Sequence, residues 1–106
     1  MRKEKKEYYS RLVEQALKQG EKLIAEISYA YDNCPRHSQL IWGILKHLMT
    51  VGLILHDLRR LQRDLEEGKL GDPTLASVLC LVNSLRKAQR NWVKFFRKAK
   101  LGILFL

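Results

Sequence analysis

The last third of this chain has no acid. After Asp72 there is neither an aspartate nor a glutamate, while seven cations fall between Leu81 and Leu106: Arg86, Lys87, Arg90, Lys94, Arg97, Lys98 and Lys100. The whole chain carries +9, so 9 − 7 leaves +2 for residues 1–80. A field concentrated in one segment, with nothing nearby to neutralise it, fits a polyanionic partner. Cysteine is also scarce, with Cys34 and Cys80 alone, and that excludes a disulfide framework. Cys34, beside Pro35, reads as a turn thiol; Cys80, in an apolar run, reads as a buried small hydrophobe. No long uninterrupted apolar run is present. The most apolar window, Leu40 to Leu55, is broken by Gly43, Lys46, His47, Thr50 and Gly52, too short and too polar for a bilayer span. The amino-terminal MRKEKKEYY mixes charges and lacks the apolar stretch of a signal peptide. These absences lead us to expect a soluble, cytoplasmic protein without a membrane partner.

Three helical patterns fill the 106 residues, which suit a single domain. In Lys3 to Tyr31, apolar residues recur at three and four (Tyr9, Leu12, Val13, Ala16, Leu17, Leu23, Ile24, Ile27, Ala30, Tyr31), and they make one stripe. Gly20 lies on that stripe, which predicts either a close helix crossing or a bend. Outside it, acids and bases alternate as a solvated face, as in Glu14 and Lys18. Asp32, Asn33 and Cys34-Pro35 end the first helix, and Ser38 is placed to cap the next. Gln39 to Glu67 carries so wide an apolar surface up to Leu58 that it is expected to be central, covered on two sides. Past Leu58 only Leu61 and Leu65 continue the stripe, so that end is expected to project outward. Gly68 suits the left-handed residue after a helix; Asp72 and Pro73 suit the cap and first position of the third. Thr74 to Lys100 then reads as one helix with a core stripe of Leu75, Val78, Leu79, Val82, Leu85, Trp92 and Phe96, weakened at Gln89. The expected fold is all-α, a compact bundle of three long antiparallel helices, or four to five if Gly20 or Gln89 breaks one. The chain ends in LGILFL, residues 101–106. Exposed, this tail would promote aggregation, so Ile103, Leu104, Phe105 and Leu106 are expected to dock on the bundle or on a partner subunit.

Lys87, Arg90, Lys94 and Arg97 recur at three and four and share one face, flanked by Arg86 and Lys98. Cations interleaved with aromatics suit backbone phosphates and stacked bases. Trp92 and Phe96 belong to the core stripe; Phe95 lies off it and is the candidate for stacking or for an interface. The expected nucleic-acid face is therefore Arg86, Lys87, Arg90, Lys94, Phe95, Arg97 and Lys98, contacting DNA or RNA through phosphates. Cys34 and His37 have a workable metal spacing, but a structural zinc needs four ligands, and Cys80, His47 and His56 are not paired to complete them. No metal and no cofactor is expected. His37, His47 and His56-Asp57 resemble the order of metal-dependent phosphohydrolases of the HD class, but the closing distal acid is missing. With no Gly-rich phosphate loop and no nucleophile beside a base, the chain reads as a non-enzyme.

Two stretches, LIWGILKHLMTVGLIL (Leu40–Leu55) and SLRKAQRNWVKFFRK (Ser84–Lys98), resemble the helical small subunits of CRISPR RNA-guided effector complexes. The first is an apolar central helix with an internal glycine; the second places a Trp-hydrophobic-Lys-Phe run late in the last helix. The resemblance implies a non-catalytic subunit of an antiviral, RNA-guided assembly whose basic faces hold a nucleic-acid strand beside other protein subunits. Two other readings compete. A phage DNA-packaging small subunit is also small, helical and basic, though no separate helix-turn-helix is present here. A helical interaction or inhibitor module would need no basic stripe.

Overall fold

The computed structural model describes residues 3–68 and 72–103, and the side chains of residues 5–68 and 76–99. Its elements are α1 (Lys3–Asn33), α2 (Leu40–Glu66) and α3 (Asp72–Ile103), and no strand occurs among the described residues. They form a three-helix bundle in which every helix touches the other two. At about 1.5 Å per residue the helices span roughly 40–48 Å, and the molecule is a rod of 55 × 18 × 18 Å. Neither Gly20 nor Gln89 interrupts its helix, so the count stays at three.

The connection between α1 and α2 is tight. The Cys34 N–H donates to the Tyr31 carbonyl (3.3 Å) and the Ser38 N–H to the Pro35 carbonyl (2.9 Å). The Leu40 N–H donates to the Ser38 hydroxyl at 3.2 Å, which satisfies one of the orphan donors opening α2. Arg36 lies over the Tyr31 ring at 4.6 Å. α1 persists through Asn33, two residues past the expected end, and the Asn33 amide donates back to the Tyr29 carbonyl (2.8 Å). At the other end of α2, Gly68 takes φ +77°, and its N–H donates to the Leu65 carbonyl (3.2 Å). A side chain is strongly disfavoured in that conformation, so glycine is the residue that ends the helix there. Asp72 opens α3.

The core is one continuous cluster. α1 contributes Val13, Ala16, Leu17, Leu23 and Ile27; α2 contributes Ile41, Ile44, Val51, Leu55, Leu58, Leu61 and Leu65; α3 contributes Val78, Val82, Leu85, Ala88 and Trp92. Burying such side chains stabilises by about 1.5–3 kcal/mol each before entropy is charged against it. Gly20 marks the closest α1–α2 approach: a Cβ built there would overlap the Leu55 side chain. The close crossing is therefore the reason for glycine on that stripe.

Several expectations are corrected. Cys34 is buried and Cys80 exposed, the reverse of the sequence reading. Cys34 follows Ile27 by seven residues and so continues the buried line of α1, whereas Cys80 stands two residues from both buried Val78 and buried Val82, off their line and at the edge of the α2–α3 groove. Leu79 is 46% exposed, and the core line runs through Ala88 rather than Gln89. The carboxyl end of α2 does not project: Leu58, Leu61 and Leu65 are all buried. α2 does have two neighbours, α1 and α3. Both pack against one side of it, so Trp42, Met49 and Leu53 on the other are 74, 66 and 65% exposed. Of the expected docking tail, Ile103 ends α3, and Leu104, Phe105 and Leu106 lie outside the described residues.

Candidate nucleic-acid interface

α3 is oriented by its buried line, Val78, Val82, Leu85, Ala88, Trp92 and Ala99. At about 100° per residue, Arg86, Lys87, Arg90, Lys94, Arg97 and Lys98 then occupy an arc of roughly 120° on the opposite side. All of them are exposed. They extend over about 18 Å of helix, a length matching about five phosphates of one strand.

Among the described residues none of these six cations is in an ion pair. The ion pairs Glu7–Arg11 (3.8 Å), Glu14–Lys18 (3.7 Å) and Glu21–Arg59 (3.8 Å) are exposed contacts elsewhere, of the kind that contributes little to stability. In the groove between α1 and α3, the neighbours of Arg86 are Gln15 and Gln19 rather than carboxylates. The acids nearest in kind, Asp57 and Asp64, line a groove of about 430 Å³ between α2 and α3 with Ser77, Cys80 and Leu81. That groove borders the amino-terminal part of α3, so the negative side chains are segregated from the basic segment along the helix.

Phe95 is placed differently from the expectation. It is half-buried, with its ring 4.9 Å from His47 and 5.8 Å from Trp92, stacked on the latter at 29°. Its edge fills the space left by Gly43, where a Cβ would stand 2.5 Å from the ring. The ring is already committed to the α2–α3 contact, and a base is not offered its face. The side chain that accompanies the cations at the surface is instead Val93.

Trp92 is the centre of the packing beneath the basic face. It is 1% exposed and meets His47 edge-on (5.5 Å), Phe95 and Phe96 (5.7 Å). Among the described residues its indole N–H has no hydrogen-bond partner; an unmade bond of this kind costs about 1–3 kcal/mol, against which the aromatic packing works. Partial burial lowers the His47 pKa below its ordinary value, and neighbouring Lys46 lowers it further. His47 is thus a neutral packing side chain at neutral pH. His37 and His56 are exposed, and among the described residues no three His, Cys, Asp or Glu side chains gather as a metal site.

The sequence reading missed the apolar row on α2. Trp42, Met49 and Leu53 recur at seven and four, a spacing that already placed them on one face, opposite Ile44, Val51 and Leu55. Fold and face together define an all-α three-helix bundle whose α3 carries, among the described residues, a row of exposed and unpaired cations. No protein-family model, no curated protein and no solved structure matches the chain.

Proposed function

We propose that this protein is a non-catalytic, basic helical subunit that binds the nucleic-acid backbone within a larger cytoplasmic assembly. The observation that carries the reading is the row of six exposed, unpaired cations on the outer side of α3. Point charges without a stacking platform or a shaped pocket recognise phosphates rather than base edges, so binding is expected to be indifferent to sequence. The setting we favour is an RNA-guided effector complex of the CRISPR kind. The two stretches that carry that resemblance pack directly on each other through Gly43–Phe95 and His47–Trp92. Titration of labelled single and double strands at rising salt tests the reading. If four to six phosphates are neutralised, log K should fall against log salt with a slope of about −3 to −5. Affinity that does not change with salt would remove the basis for it.

A further inference from the structure

We infer that the exposed face of α2 is a self-association surface, on which a second copy of this chain docks antiparallel. Trp42, Lys46, Met49, Leu53, His56 and Arg60 are all exposed and fall within about 40° of one line along the helix. This line lies opposite Ile44, Val51 and Leu55, and among the described residues nothing packs over it, although Arg60 at its end also borders the α2–α3 groove.

Two features indicate a second copy rather than another occupant. The first is the order of side chains along the row. A two-fold axis at the height of residue 51 sets Met49 against Leu53 of the second copy, and Leu53 against its Met49. The same axis puts the Trp42 ring at the height of Arg60, a cation–π pairing. It also puts Lys46 on the same flank as Asp57, so each contact of unlike character is made twice, as an isologous interface requires. A parallel pairing would instead oppose Lys46 to Lys46 and Arg60 to Arg60.

The second feature is Gly52. Gly20 and Gly43 each have a side chain of a neighbouring helix against them, Leu55 and Phe95 respectively, whereas nothing lies within 4 Å of a Cβ at Gly52. Gly52 borders the exposed row and is disfavoured in a helix interior, yet no contact among the described residues requires it. A second backbone passing close to α2 does. α2 is also long and apolar enough to cross a bilayer by length and composition. However, Lys46 interrupts its exposed row and Asp57 and Arg60 close it, which suits a partner of matching charges better than hydrocarbon. The seam faces away from the bundle and leaves the α3 cations of both copies uncovered. It is one helix wide, at the small end of specific interfaces, so a micromolar dimer is expected.

The test is sedimentation equilibrium of the purified full chain without nucleic acid, across a hundredfold concentration range. A monomer–dimer equilibrium is expected, weakened at least tenfold by Met49→Asp and by Gly52→Ala. Both substitutions fall at open positions, and circular dichroism melts confirm folding. Register is read separately in a Cys80→Ser background. Lys46→Cys mixed with Asp57→Cys should give a heterodisulfide under mild oxidation, while each alone should give none, since like positions stand about 15 Å or more apart along the seam. A monomer at every concentration, homodisulfides in preference to the mixed species, or loss of vesicle binding by Met49→Asp without change in self-association would each overturn the proposal.

Discussion

Gly43 of α2 and Phe95 of α3 interlock: the Phe95 ring edge occupies the position a Cβ at Gly43 would need, 2.5 Å from its Cε2. The same ring touches His47 and Trp92, so this contact fixes how the helix bearing the basic face sits on α2. Gly43→Ala should therefore destabilise the bundle. Overpacking costs about 1–3 kcal/mol, and the better helix propensity of alanine returns at most about 1. Gly52→Ala, with open space around it, should stabilise the monomer by roughly 0.4–1 kcal/mol. Urea melts of both variants at low protein concentration check the opposite signs.

Truncation of Trp92 should be the costliest single change in α3. It is the largest fully buried side chain and joins His47, Phe95 and Phe96. Trp92→Ala is expected to cost about 3–5 kcal/mol, a large share of a small domain's stability. The readout is the denaturation midpoint and slope. Exposed Trp42→Ala should change the monomer's stability by less than about 0.5 kcal/mol.

His47 should make stability pH-dependent. Its folded pKa is lowered, by burial first and by Lys46 second, from an ordinary value of 6.5. The unfolded chain then binds the proton more readily than the folded one. The contribution is complete above pH 6.5 and is lost as pH falls through the lowered folded value. Melts between pH 7.5 and 5 should show this loss, and His47→Phe should flatten that part of the curve.

Helix ends and turns were legible because they depend on local chemistry. Gly68 at the end of α2 and Asp72-Pro73 at the start of α3 act within a few residues, and the helices end or begin there; Ser38 stands one residue before Gln39, the N-cap of α2, and its hydroxyl accepts from the Leu40 N–H. What was illegible depends on neighbours. The apolar girth of α2 shows that much can be buried but not which arc is, so the pattern alone does not single out Trp42, Met49 and Leu53 as the uncovered row. Ala88 was overlooked because a small side chain gives a weak periodic signal, although it lies on the line to Trp92 and Ala99. Phe95 was assigned to the surface because Gly43, forty-odd residues earlier, gives no sign in sequence that it receives a ring. The cations of α3 were the simpler inference, since they needed only a shared helical face and the absence of acids.

The most direct test of the central claim is strand binding by Arg90→Glu/Lys94→Glu, measured beside the parent at the same salt. Both side chains are exposed and unpaired, so the melting temperature should move by only a few degrees. Reversing two charges at the middle of a six-cation row should lower affinity at least a hundredfold, about 2.7 kcal/mol, and make the salt slope shallower by about two or more. A variant that melts like the parent and binds strands as tightly, with an unchanged slope, would contradict the account.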